Sequence, residues 1–286
     1  MSAPRRRLPR LPRLARRGLL HLSLLVLSLL WLVPSLGLLV TSLRPRPDIA
    51  SSGFWTALVS PALTLQNYRE VLGAQGMVDG FVNSLLITVP STLLPVLIAA
   101  PAAYAFAWLR FPGRDWLFLM VIALMVVPLQ MTFVPVLRLL NVMGLTRSFA
   151  GLWLAHTAFG LPFAIFLLRG FFALLPAELL EAARLDGASD LEILVKVVLP
   201  LSVPALGSLT ILQFLAVWND LLMALVFIQS PEAMPLTVRL SQMISTYGTE
   251  WHLLSAGAFV LMIVPLIVFF SLQRYFVQGL LAGAVK

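Results

Sequence analysis

Asp220 is the clearest ionisable side chain within any long apolar stretch of this sequence, and it directly follows Trp218 and Asn219. A carboxylate at membrane depth is a functional candidate by default. The trio combines hydrogen-bond acceptors with an aromatic face, which suits a path for a polar solute. The same groups suit a polar contact between neighbouring helices equally well. A second cluster is acidic: Glu178, Glu181, Asp186 and Asp190 surround Gly187. Other chemistry finds no residues to carry it. The sequence has no cysteine, so it has neither a disulfide framework nor a thiolate metal site. His21, His156 and His252 are isolated, and no His/Asp/Glu set has metal-ligand spacing. No G-x-x-x-x-G-K-[ST] motif is present, so the chain has no basis for hydrolysing ATP itself. No nucleophile–base pair is visible either, which argues against a membrane-embedded enzyme.

These side chains must be positioned by elements suited to lipid. The sequence is 60% hydrophobic and only 11% charged, where a soluble domain carries about 25% charged residues. A span needs about 20 mostly apolar residues. Six stretches qualify: 19–43, 83–109, 116–136, 149–168, 205–227 and 255–272. None alternates as barrel strands do, so helices are expected. The net charge of +8 is concentrated at the start, where Arg5, Arg6, Arg7, Arg10, Arg13, Arg16 and Arg17 precede the first apolar run. That placement fits an anchor facing anionic headgroups rather than nucleic acid. The run 19–43 exceeds the h-region of a cleaved signal, about 7–15 residues, and reads as a retained span.

Lys and Arg set the expected orientation. With the N-terminus inside, fourteen of the twenty basic residues fall inside and six outside. Without the N-terminal seven the split is seven against six, so the first span carries the inference. Residues 1–18 are then a basic cytoplasmic N-terminus, 19–43 the first span, 44–80 an external loop, and 81–286 a core with five further spans. A short surface helix is expected near 65–72, and 231–247 is a second external segment. Eight prolines fall in the spans: Pro34, Pro90, Pro95, Pro101, Pro128, Pro135, Pro162 and Pro265. They predict kinked helices, either lining a path or simply typical of membrane composition. Smaller readings follow from position. His156 is expected to make one interhelical hydrogen bond. Asn83 and Ser84 cap or pack, and Met120, Met125 and Met131 fill gaps between helices.

The connection 174–204 is the long charged stretch on the inner side. Pro176 suits the start of a helix, Glu178 and Glu181 its positive end, and Gly187 the left-handed residue beyond it. Ser189 and Glu192 form a capping box for a second helix, and Pro200 marks a boundary beyond it. Two short helices with a tight glycine turn result, and such a helix can dock in a partner's groove.

The run "EAARLDGAS" followed by "LP" resembles the EAA loop of ABC importer permeases, at Glu181, Ala182, Ala183, Asp186, Gly187, Ala188, Leu199 and Pro200. "NSLLITVPST", "AAYAFAWLRFPGR" and "FLAVWNDLL" are similar to the carbohydrate branch that includes the maltose permeases, and the likeness runs from Asn83 to the C-terminus. "VPSLGLLVTSLRPRPDIASSGFW" looks like the matching region of α-glucoside permeases. The resemblance implies an all-α integral membrane protein with six transmembrane helices in the type I ABC importer permease (MetI-like) fold. It implies a bacterial or archaeal plasma-membrane location with both termini cytoplasmic. The chain would be the non-enzymatic permease of an ATP-driven, binding-protein-dependent importer of a sugar, with a disaccharide or α-glucoside favoured. It would hold no cofactor of its own. ATP and Mg would sit on an ATPase dimer coupled through the EAA residues. A second permease and an extracytoplasmic sugar-binding protein would complete the assembly, with Trp218, Asn219 and Asp220 beside the substrate path. The alternative is a gradient-driven secondary transporter, for which Asp220 is the one coupling candidate and no repeated halves are found.

Overall fold

The computed structural model describes residues 13–73, 76–228, 230–246 and 250–284. Arg5, Arg6, Arg7, Arg10 and Lys286 lie outside the described residues. Every regular element among the described residues is helical.

Helix α1 (Arg13–Ser42) is apolar all round, and its side chains from Leu19 to Val33 are exposed. A helix of that character belongs in lipid or against another apolar surface. A folded cap follows, made of α2 (Arg46–Ser51), a 3₁₀ turn (Phe54–Leu58) and α3 (Gln66–Gly73). The expected loop is therefore structured. Arg44 is buried at its centre and donates to the carbonyls of Asp48 (2.9 Å), Ser52 (3.2 Å) and Gly53 (3.0 Å). Asn67 of α3 donates to the carbonyls of Ser42 and Arg44, both at 2.8 Å. These bonds satisfy the carbonyls released where α1 ends. Arg46 pairs with Glu250, which immediately precedes the last helix.

α4 (Met77–Trp108) continues through Pro90, Pro95 and Pro101. The expected third span, 116–136, is two helices: α5 (Arg114–Leu124) and α6 (Leu129–Val142), bent by 101°. Pro128 stands at the N-cap of α6 in an extended conformation. It cannot donate to the preceding turn, and it disfavours helical backbone at Val127. α7 (Phe149–Phe172) starts at Ser148, whose hydroxyl accepts from the Gly151 amide at 3.2 Å. Then come α8 (Ala177–Leu185) and α9 (Asp190–Ile193), a π-helical stretch (Leu194–Val198) and α10 (Leu199–Leu201). Pro200 is thus not the boundary expected. The wider π turn gives its ring room where an α-helical carbonyl would clash, and the chain turns instead at Ser202, by 78°.

α11 (Val203–Trp218) ends earlier than the expected span 205–227, and a break at residues 219–221 separates it from α12 (Leu222–Phe227). α13 (Leu236–Thr246) and α14 (Trp251–Ala284) complete the fold. Gly207 lets α11 approach α14, since a Cβ there would lie 2.7 Å from Tyr275. By length and apolar composition, α1, α4, α7 and α14 can each cross a membrane, and the total among the described residues is up to six if each of the two bent pairs, α5–α6 and α9–α11, counts as one span.

Three apolar clusters order the bundle. One joins the end of α4 (Ala99, Ala103) to α7 (Leu168, Phe172), to α11 (Leu209) and to α8–α9 (Leu180, Ile193). The second holds α6, α7 and α12 around Phe133, Leu152 and Phe227. The third packs α3 and the start of α4 against α13 and α14 through Val71, Met77, Leu236 and Ala256. Since α4 begins in the third and ends in the first, α8–α9 and the α2–α3 cap lie at opposite ends.

Arg44→Met is expected to destabilise the cap by about 3 kcal/mol, because buried carbonyls lose charge-assisted donors. Proteolytic cleavage between residues 46 and 60 should then speed by roughly a hundredfold. An unaltered rate refutes this role for Arg44.

Candidate functional site

The α8–α9 hairpin is built from local signals that agree. α8 ends in a Schellman motif: Gly187, at φ +82°, donates to the Arg184 carbonyl and Ala188 to that of Ala183, each at 3.0 Å. Ser189 then opens α9 with a reciprocal capping box. Its amide donates to Glu192 Oε2 at 3.1 Å, and the Glu192 amide donates to its hydroxyl at 3.4 Å. Lys196 Nζ reaches Glu192 Oε1 at 2.9 Å. That ammonium, with the Ser189 amide and hydroxyl, holds the Glu192 carboxyl down at about 2.

The hairpin is anchored on one side and open on the other. Leu180 and Ile193 are fully buried under α4 and α7. Tyr104 of α4 donates to Asp190 Oδ1 at 3.0 Å, and Arg184 Nη2 lies 3.4 Å from the same oxygen. Trp108 Nε1 donates to the Phe172 carbonyl at 3.0 Å and joins the two long helices beside it. Of the residues singled out by sequence, Glu181, Ala182, Asp186, Gly187 and Pro200 are exposed. Ala183, Ala188 and Leu199 are half-buried and pack against the first cluster. Sequence reasoning passed over Leu185 and Leu191, which flank the turn at 89% and 70% exposure. Their signal is an apolar side chain off the buried stripe of its helix. It also passed over the Tyr104–Asp190 bond, for which no local signal exists.

Asp220 does not lie inside a helix as expected, because α11 ends at Trp218. Its carboxylate accepts from the amides of Met223 (3.4 Å) and Ala224 (3.1 Å), so it caps α12. His156 Nε2 on α7 lies 4.0 Å from Oδ2. Trp218 is buried; it stacks on Phe214 at 5.8 Å and donates from Nε1 to the Leu261 carbonyl at 3.0 Å. Asn219 is exposed and returns a bond to the Leu215 carbonyl at 2.8 Å. A cavity of about 10 Å³ lies beside Ser84, Thr88, Asp220 and Thr237, a volume on the scale of one water. Asn83 and Ser84 pack rather than cap their own helix. Asn83 Nδ2 donates to the carbonyls of Glu232 (2.6 Å) and Met234 (3.1 Å), and the Ser84 hydroxyl accepts from the Leu236 amide at 2.8 Å.

Comparison with known proteins agrees with this architecture. Residues 95–281 match the family described as binding-protein-dependent transport system inner membrane component. The osmoprotective compounds uptake permease protein of Synechocystis sp. is 52% identical over 272 residues, covering 93% of this chain and 91% of that one. The alpha-glucoside transport system permease protein of Rhizobium meliloti is 54% identical, over 82% of this chain and 63% of its own length. A crystal structure of a bacterial ABC transporter involved in the import of the acidic polysaccharide alginate contains a similar chain. It superposes with a TM-score of 0.72 at 25% identity, covering 94% of this chain and all of that one.

Two predictions test the hairpin. A Cβ at Gly187 would meet nothing within 4 Å, so the cost of Gly187→Ala is conformational, about 1–2 kcal/mol. Amide exchange in the last turn of α8 should speed accordingly, and a rate equal to the parent's counts against the turn. Glu192 has a depressed pKa. Its contribution is therefore full above its ordinary value of 4.5 and is lost as pH falls through about 2. The carboxyl carbon shift of Glu192 in an NMR titration should show a midpoint near 2, and Lys196→Met should raise it; a parent midpoint of 4.5 excludes the pairing.

Proposed function

Because the chain belongs to the family of binding-protein-dependent transport system inner membrane components, we propose that it is half of the translocation path of an ATP-driven sugar importer, with a glucoside the favoured cargo. The observation that carries this reading is the hairpin's division into a buried, bonded root and an exposed apolar turn. Leu185 and Leu191 project from a body fixed to α4 and α7. Apolar side chains seated in a partner's pockets supply most of the energy of such contacts, and the acidic side chains around them supply orientation. The partner is an ATPase dimer, which holds ATP and Mg.

In this reading both termini are cytoplasmic and the hairpin lies on the cytoplasmic face. The α2–α3 cap and the segment 231–246 then face outward, where a sugar-binding protein docks. A second, related permease completes the path, which runs past the break at 219–221. Asn219 is the exposed member of the trio there, and Trp218 and Asp220 hold the break in shape. The domain divisions at 18, 43 and 80 follow from the same orientation. The glucoside preference is supported by the alpha-glucoside relative and by the stretch 33–55 of the sequence. The curated relatives are permeases named for compound, glucoside and oligosaccharide uptake systems, and they give gradient-driven transport through Asp220 no support.

Co-expression with candidate ATPases and second permeases, followed by purification in detergent, tests the assignment. The ATPase should co-purify with the parent. Leu185→Glu should weaken its retention at least about thirtyfold, the effect of losing an anchor worth about 2 kcal/mol. The variant's thermal stability should match the parent's, because Leu185 touches little of its own chain. Failure of any ATPase in a broad set to bind the parent overturns the assignment.

A further inference from the structure

The outward segment and the break in the fifth apolar stretch meet at one hydrogen bond. Residues 231–239 are clamped at several points. Asn83 holds the carbonyls of Glu232 and Met234, Ser84 caps the Leu236 amide, and Arg239 Nη2 donates to the Pro231 carbonyl at 2.6 Å. Pro235, Leu236, Thr237 and Val238 are buried, whereas Pro231 and Glu232 remain exposed on the rim of an open cleft of about 740 Å³ that Asp79 and Arg239 also line. The segment therefore has an accessible face and a rigidly held root. From that root Thr237 Oγ1 donates to the backbone carbonyl of Asp220 at 2.8 Å.

Asp220 sits at the interruption between α11 and α12, with its amide on the Val217 carbonyl at 3.1 Å and its carbonyl taken up by Thr237. Residues 219–221 interrupt the helical ladder, and a break of this kind is the soft point of a span. Its carboxylate starts α12, and α12 leads directly to the other broken stretch. Phe227 meets Phe133 of α6 at 5.7 Å, and the Phe227 carbonyl accepts from the Arg147 amide at 3.4 Å. A continuous set of contacts thus runs from Glu232 through Thr237 and Asp220 to α12 and α6.

We propose that Thr237 and Asp220 are positioning residues, and that their hydrogen bond transmits occupation of the 231–239 rim by the external binding protein to the break at 219–221 and so to the path. This deepens the importer reading and rests on it. The bond is suited to the task because it joins the clamped root of 231–239 to the interrupted backbone at 219–221 through a buried contact. When the rim moves, the Asp220 carbonyl either moves with it or loses its donor.

Two measurements test the link. The chain contains no cysteine, so a spin label can be placed at Leu225→Cys on α12, where the side chain is 48% exposed. In the full chain in nanodiscs, Thr237→Val should mobilise that label, and Thr237→Ser should keep the parent spectrum. A label at Leu154→Cys on α7 should be unaffected by either. An unchanged Leu225 spectrum in Thr237→Val overturns the tether. The second measurement uses the complex with the ATPase, the second permease and the binding protein. Thr237→Val should lower the ratio of stimulated to basal ATP hydrolysis by about fivefold, the effect of one hydrogen bond of ordinary net strength. The ratio is measured at saturating binding protein, so that a change in its affinity does not enter, and Thr237→Ser should restore it. A parent-like ratio in Thr237→Val overturns the transmission. A parent complex that no binding protein stimulates removes the docking premise and the transmission with it, and the Leu225 spectra still decide the tether.

Discussion

In hydrocarbon no water is available to take up a freed carbonyl or amide, so every interruption of a helix must be satisfied by protein. This chain interrupts its apolar stretches at 125–128, at Ser202 and at 219–221, and the rest of the structure is arranged around supplying partners there. After α5 the backbone pairs with itself: the Met125, Val126 and Val127 amides each reach back three residues. Ser202 keeps a bond from its amide to the Val198 carbonyl at 3.0 Å. At 219–221 the Asn219 and Asp220 amides reach back to Leu215 and Val217, but side chains complete the break, with the Asp220 carboxylate below α12 and the Thr237 hydroxyl on the Asp220 carbonyl. The first two breaks are self-contained. The third depends on another segment of the chain, and so its geometry can respond to that segment.

The same constraint divides the bundle into parts that move together and parts that need not. α8 and α9 share a close-packed cluster with the ends of α4, α7 and α11. Interiors of that density pass displacement on rather than absorbing it. In the proposed assembly a push on Leu185 would reach α4 and α7 through that cluster. At the far end α4 meets the start of α13 through Ser84 and the residues just before it through Asn83, so one long helix links the hairpin to the segment 231–246. In the proposed cycle the ATPase and the binding protein act on opposite ends of the same helix, and the break at 219–221 lies beside its first third, next to Ser84 and Thr88.

How much of this the sequence disclosed depended on how local the chemistry was. The hairpin was legible because Pro176, Gly187 and the Ser189–Glu192 pair act on neighbours within a turn, and each has a single best structural use. The six apolar stretches were legible in number but not in course. Pro128 reads like the other prolines that lie in apolar runs, and only the extended backbone at its position shows that it ends a helix while Pro90, Pro95 and Pro101 do not. Asp220 looked like a residue within a span because the apolar run continues past it, whereas the helix does not. Contacts between distant positions left no trace in the sequence. Tyr104 meets Asp190 across 86 residues, and Ser84 meets Leu236 across 152.

The chemistry of the hairpin's exposed face also bears on how such a contact can be made and broken in each cycle. Two leucines at a turn offer little apolar area, so the association they drive is moderate. Glu181 and Asp186 flank them in full solvent, where charge speeds encounter and fixes orientation more than it adds affinity. The strength that the outward face lacks is found at the root, where Leu180, Ile193 and the Tyr104–Asp190 bond tie the hairpin to the spans. The hairpin is therefore fixed to its own helices by buried apolar packing and a hydrogen bond. In the proposed assembly a force applied at Leu185 would pass through that root to α4 and α7.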